Sequence, residues 1–430
     1  MITGIELVNF KCFRELKLEL KPLTVFIGEN ATGKSTAAQG LFLLKQSVEA
    51  GSLKTAGDYV NLGIFNDVLN KDPKETFFVC GMKGNCSVPP RLVELGFADR
   101  VEFDYRPAFR DEQLDGHHVE MRIGSRVNFG IYSFQGTYQR GVPIGNPIGH
   151  IRDIVGGTIE INCNNNIKNP LAMGNISGPS DINKRAEFDL VTRSVQEVLL
   201  SIRKVLRSTS LVPASRGFDR PFYPLPASKV LDPLYDGPLN YAANLLGILH
   251  YQRDLRKKLS EWFNGIAGFG IDLNYQENHQ VGLETTGGVS LANEGFGWNQ
   301  LAFVLVQVGL APEEGTVVIE EPEIHLHPKA QAQVAELLAK VVRDEKKQIL
   351  ITTHGERILS KLLTLVAKGE FPKEKLAIYY FERKDGETTA RALKIDDLGR
   401  IEGGLPGFFE AGVEELTEYL EALHGKGKKE

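Results

Sequence analysis

The chain has 430 residues, 42% of them hydrophobic and 24% charged, which is enough for a sizeable core and for one large domain or two smaller ones. Fifty basic against fifty-five acidic side chains give a net charge of -5, which excludes a general basic field for nucleic acid or an acidic membrane; any DNA contact has to be local. MITGIELVNF does not read as a leader and no run of about 18 apolar residues occurs, so a soluble, cytoplasmic protein without membrane contact is expected.

Residues 1–27 alternate short β-like runs, ITGIELVNF, RELKLEL and LTVFI, the last stopped by Gly28. The spacing of Leu41, Leu44, Lys45 and Val48 predicts an amphipathic helix from Lys34 to about Val48. From Gly51 to Ser180 the pieces ETFFVCGM and HVEMRIGSRVNFGIYSF predict antiparallel β structure with long loops, including a Gly/Asn/Pro-rich stretch from Gly141 to Pro179. Helical periodicity returns at Glu187–Leu206 and again at Leu239–Phe263, where Leu245, Leu249, Leu255 and Leu259 share a face. Between them, LVPASRGFDRPFYPLPASKVLDP is broken by prolines, and Arg216 within it reads either as a surface loop residue or as a functional one. Strands are expected from Gly270 onward, and neither an internal repeat nor sustained heptads appear, so no coiled-coil arm is expected.

Three stretches carry chemistry. Gly28-Glu29-Asn30-Ala31-Thr32-Gly33-Lys34-Ser35 fits GxxxxGK[ST] between an apolar strand and a helix, the context in which backbone N–H groups and a helix N-terminus can hold phosphate oxygens. Gly28 through Thr36 form the expected cradle for ATP, with Lys34 on the β and γ phosphates and the Ser35 hydroxyl on Mg²⁺. Thr316-Val317-Val318-Ile319 reads as a core strand delivering Glu320-Glu321-Pro322-Glu323 to a sheet edge. There Glu320 is assigned to the magnesium shell and Glu321 to the attacking water. A further apolar strand, Gln348–Thr353, ends at His354, a candidate hydrogen-bond donor to the γ-phosphate.

Cys12, Cys80, Cys86 and Cys163 form no CxxC pair and read as buried reduced thiols; the spacings of His117 and His118 and of His325 and His327 do not by themselves make a metal site.

Taken together, these residues resemble the ABC ATPases of the SMC, RecF and OLD kind. ITGIELVNFKCF is similar to their opening strand pair, GENATGKST to their Walker A segment, VVIEEPEIHLHP to Walker B with the D-loop, and ITTHGERIL to the switch histidine. SLANEGFGWNQL resembles the signature of OLD-like members, although Asn293-Glu294-Gly295 departs from the LSGGQ of transporters and Glu320 stands where aspartate is more usual. The resemblance implies an α/β P-loop ABC ATPase head with a mixed β-sheet, an antiparallel β subdomain and an inserted helical lobe. It also implies an ATPase that works as an ATP-dependent homodimer, with Asn293, Gly295 and Gly297 capping the nucleotide held by the other subunit.

The expected organisation is an N-terminal part of the head at 1–180, a helical lobe at 181–265, a C-terminal part at 266–395 and a tail at 396–430, in which Phe408 and Phe409 staple onto the body. About 75 residues after His354 are too few for the Toprim nuclease of OLD enzymes, and Asp396-Asp397 is not a DxD strand ending, so no nuclease is expected in this chain. Two functions remain open. One is an ATPase of DNA repair or anti-phage defence, touching phosphates through basic runs at 203–207 and 253–258; the other is an ATP-gated switch for a separate effector protein.

Overall fold

The strand–loop–helix order of the sequence folds into a mixed, mostly parallel core sheet with the loops after Gly28, Glu320 and Thr353 at one edge. The computed structural model describes residues 1–71, 76–88, 90–94, 97–110, 113–125, 131–137, 148–152, 158–163, 176–177, 197, 200–226, 241–384 and 387–404. The core sheet runs in the order β11 (Thr209–Val212), β15 (Thr316–Glu320), β16 (Gln348–Thr353), β3 (Leu23–Gly28), β17 (Leu376–Lys384) and β18 (Glu387–Leu393). All neighbours are parallel except β17 and β18. Strands β3 and β16 are buried along their whole length, and apart from Gln348 and Gly28 they are apolar or β-branched, as expected where both faces of a parallel sheet are covered.

A second, antiparallel sheet runs β10 (Ile176–Ser177), β9 (Thr158–Cys163), β8 (Ile148–Arg152), β7 (Ile131–Thr137), β6 (Gln113–Ser125), β5 (Phe97–Arg110), β4 (Phe77–Ser87), β1 (Ile2–Phe10), β2 (Phe13–Glu19). Helix α1 (Lys34–Ala50) touches strands of both sheets. Gln348 also joins them: its amide accepts from Ile2 N at 3.0 Å and donates to Ile2 O at 2.5 Å, while Thr316 Oγ1 donates to its oxygen at 2.8 Å. A buried amide with all these partners costs little to bury and holds the first strand against the core sheet.

The predicted helix Leu239–Phe263 is two helices, α2 (Tyr241–Tyr251) and α3 (Arg253–Ala267), and Leu239 lies outside the described residues. The break falls at Gln252, whose φ of -118° and ψ of 80° leave the helical region. One buried face still runs through both, with Leu245, Leu249, Leu255 and Leu259, so the periodicity was legible although the kink was not. Of the segment Glu187–Leu206, residues 200–206 are helical and most of the rest lies outside the described residues, as do Phe408 and Phe409. A small sheet of β12 (Tyr223–Pro224), β14 (Gln280–Thr285) and β13 (Ile271–Gln276) lies beside α2 and α3. Helix α4 (Phe296–Leu310) packs on α3, and α5 (Pro328–Asp344) on α6 (Glu356–Ala367).

Cys80 and Cys86 are buried free thiols, as expected; Cys12 departs from the expectation, being only half-buried beside the Gly28–Ser35 loop. The Cys163 side chain lies outside the described ones.

Candidate active site

The parallel register brings the three chemical stretches to one edge. Ile27 of β3 lies opposite Thr353 of β16, and Thr352 lies opposite Glu320 of β15. Gly28, His354 and Glu321 therefore leave the sheet at nearly the same level, which is where open α/β sheets bind ligands.

The phosphate loop has the backbone that its glycines predict. Gly28 (φ 151°) and Gly33 (φ 88°) are in conformations that side chains rarely adopt, and a Cβ on Gly28 would overlap the Phe381 carbonyl oxygen. Ala31 takes a positive φ of 61° at the exposed crown formed by Glu29, Asn30 and Ala31. Thr32 Oγ1 donates to Glu29 O at 2.8 Å, closing the turn. Lys34 is buried, and its ammonium donates to Gly28 O at 2.8 Å and Glu29 O at 2.6 Å. Burial lowers its pKa, opposed by the charges of Glu321, Glu323 and Glu29. Ser35 and Thr36 are half-buried in the first turn of α1.

Across the cleft, Glu321 has a positive φ of 46°, its N–H donates to Thr352 O at 2.8 Å, and its Oε1 lies 3.3 Å from His354 Nδ1. The oxygen Oε2 of Glu320 accepts from Ala214 N at 3.2 Å. Glu323 turns inward instead: Oε1 accepts from the Thr353 hydroxyl and from Gly355 N, and burial raises its pKa, with the Glu321 charge adding to the rise. The sequence contains this third acid in plain view, yet nothing in EEPE marks it as buried. His327 accepts from Lys329 N at 3.3 Å as the N-cap of α5, with Pro328 behind it, which accounts for the HP pair without a metal.

Arg216 is not a surface loop residue. It is buried; Nη1 donates to Pro213 O at 2.7 Å and Glu320 O at 2.7 Å, and Nη2 to Glu321 O at 2.9 Å. Sequence reasoning left it undecided because two of its three partners are backbone carbonyls about a hundred residues away.

The signature turn is placed differently from the expectation at one residue. Asn293 and Gly295 are exposed ahead of α4, but Gly297 is buried, and a Cβ there would overlap the His325 carbonyl oxygen. Glycine at 297 is thus required by the close approach of α4 to the loop after β15, and its buried position offers no surface for a phosphate. Beside it, the Phe296 ring is exposed and lies edge-on to His325 at 4.9 Å.

Residues present fit a nucleotide with Mg²⁺. Thr352 Oγ1, Glu323 Oε2 and Arg216 Nε are buried at this edge without a hydrogen-bond partner, and buried polar atoms of this kind usually await water, an ion or a ligand. Among the described residues, no group of three or more His, Cys, Asp or Glu side chains is placed to hold a metal alone. The Ser35 hydroxyl and the Glu320 carboxylate offer the one or two protein oxygens that Mg²⁺ takes, its shell being completed by phosphates and water.

The AAA ATPase domain family matches residues 1–80 and 242–359, the two segments that carry the phosphate loop and the Glu320, Glu321 and His354 edge. The chain is similar to P-loop ATPases of the SMC/RecF/OLD kind. It is 22% identical over 368 residues to an OLD nuclease of Thermus scotoductus, covering 83% of this chain and 59% of that protein. This chain thus corresponds to little more than half the length of that curated relative. Among solved structures it is similar to an SMC head bound to the C-terminal winged-helix domain of ScpA, at TM-score 0.46 and 14% identity, over 91% of this chain and 98% of the other. The SMC head domain of Thermotoga maritima matches at TM-score 0.41 and 9% identity, over 92% and 99%. In the described residues the chain combines the mixed core sheet, the antiparallel sheet and the helices at 241–267.

Proposed function

We propose that this chain hydrolyses ATP to ADP and phosphate, with the active site completed by a second copy. The observation that carries the reading is the convergence of Lys34, Glu320, Glu321 and His354 at the aligned ends of β3, β15 and β16. Lys34, now donating to Gly28 and Glu29 carbonyls, transfers its bonds to the β and γ phosphates when they enter the loop. Ser35 and Glu320 would hold Mg²⁺, which would supply charge neutralisation for the phosphates. Glu321 orients the attacking water and accepts its proton; the bond from the γ-phosphorus to the bridging oxygen breaks, and ADP keeps that electron pair. His354, beside Glu321, donates to the oxygen that gains charge.

Asn293 and Gly295, exposed ahead of α4, fit a cap on nucleotide bound by the second copy. Glu321→Gln keeps the shape and removes the base, so the variant should bind ATP, lose hydrolysis by about two or more orders of magnitude, and become dimeric with ATP but not with ADP. Light scattering with each nucleotide checks this; a variant that binds ATP and stays monomeric at micromolar concentration sinks the composite site. Lys34→Ala separates the outcomes, because removing the ammonium from the P-loop removes ATP binding itself.

The similarity to an OLD nuclease supports placing this ATPase in a DNA-directed process such as repair or anti-phage defence. One observation favours nucleic acid over an effector protein as the partner. Arg253, Arg256, Lys257 and Ser260 of α3 line a cavity of about 320 Å³ with Ile271, Asp272 and Thr286, and Arg256 pairs with Asp272 at 3.7 Å. Three cations against the single Asp272 carboxylate, together with two hydroxyls, suit a phosphate of the backbone. A tight protein partner without ATP-dependent DNA affinity would instead favour the effector switch.

A further inference from the structure

We infer that Arg216 is the positioning residue for Glu320 and Glu321, and that with Asn299 it ties their placement to the first turn of α4. The inference rests on the ATPase reading of the site.

β11 runs parallel to β15 in register from Thr209 opposite Thr316 to Val212 opposite Ile319. At Pro213 the chain leaves the sheet and crosses the end of β15. One guanidinium then spans three carbonyls, those of Pro213, Glu320 and Glu321, at 2.7, 2.7 and 2.9 Å. The Glu321 peptide is thereby held from both sides, its N–H by Thr352 O and its carbonyl by Arg216. This matters because a non-glycine residue at φ 46° is strained, and such a conformation persists only where the surroundings impose it. Released, Glu321 has a lower-energy backbone to relax into, and its carboxylate leaves the neighbourhood of His354.

Two residues further, the chain is gripped a second time. Phe218 N donates to Asn299 Oδ1 at 2.6 Å and Asn299 Nδ2 donates to Phe218 O at 2.9 Å. Asn299 is buried in the first turn of α4, four residues after exposed Gly295. Between the grips, Gly217 takes a φ of 140°, which lets the chain turn sharply from one to the other. Any displacement of the α4 N-terminus is passed through Phe218 and Gly217 to the guanidinium that sets the two carboxylates. The link has a chemical class of its own: a planar fork on carbonyl oxygens, which an ammonium cannot reproduce because it is a point charge without the fork geometry. Burial lowers the Arg216 pKa to about 10, so the group is still a cation at neutral pH.

The test uses Arg216→Gln, Arg216→Lys and Asn299→Asp in the full chain, with Glu321→Gln and wild type alongside. Arg216→Gln should lower kcat by about 100-fold with ATP affinity changed less than about threefold, and Arg216→Lys should recover only part of the loss. Hydrogen exchange of the peptide 316–324 gives a readout free of catalysis. Asn299→Asp, which keeps the acceptor for Phe218 N and loses the donor to Phe218 O, should speed exchange there although Asn299 bonds to Phe218 and not to that peptide. Unchanged kcat in folded Arg216→Gln, or unchanged exchange at 316–324 in all three variants, overturns the inference. Absence of hydrolysis in wild type overturns the ATPase reading instead, and the exchange measurement then still decides the mechanical link.

Discussion

At the scale of single residues, the acids after β15 do different work because of where the backbone sends them. Glu321 stays at the cleft beside His354, whereas Glu323 is buried under Thr353 and Gly355. Burial raises the Glu323 pKa above its ordinary value of 4.5, so the folded chain holds that proton more tightly than the unfolded chain does. Its ionisation therefore costs stability, a cost absent below the ordinary carboxylate value and complete once pH has passed the raised folded value. Glu323→Gln keeps an acceptor for both partners and removes the titration. The Tm of the variant relative to wild type should rise between pH 4 and pH 7; parallel Tm curves across that window would refute the assignment.

At the scale of elements, both ends of α4 are tied to other parts of the chain. The first turn is tied to Phe218 by Asn299 and pressed by Gly297 onto His325. At the other end, buried Lys347 donates to Val308 O at 2.8 Å and Gly309 O at 3.1 Å, satisfying carbonyls that the helix leaves open and meeting the negative end of its dipole. Glu345 pairs with Lys347 at 2.9 Å and with Lys258 of α3 at 2.7 Å. Lys347→Met should cost about 1–3 kcal/mol, because two buried carbonyls and Glu345 lose a partner, and chemical denaturation reads the shift. A loss confined to a few tenths of a kcal/mol would mean that water replaces the ammonium there.

At the scale of the whole molecule, a net charge of -5 coexists with a local basic cavity on α3, and that contrast shapes the DNA prediction. Arg253→Glu with Lys257→Glu should weaken ATP-dependent DNA binding equally across sequences and lower the salt slope by about one for each phosphate the protein no longer neutralises. A sequence-dependent weakening, or none, would put the DNA-binding surface elsewhere. The sequence by itself determined the P-loop, the strand endings at Glu320 and His354, and the mixed α/β class, because those signals are local: a glycine pattern, a β-branched run and an amphipathic period read within about twenty residues. It could not place Arg216 on Glu320 and Glu321, Gly297 against His325, or Glu323 in the interior. Each of these is decided by strands and helices distant in sequence that share a sheet edge, where partners are carbonyl oxygens common to every residue and burial depends on what packs above. Even the break at Gln252 lies outside what the periodicity reveals, since the apolar face runs through both helices, while in the fold α3 packs on α4 and α5.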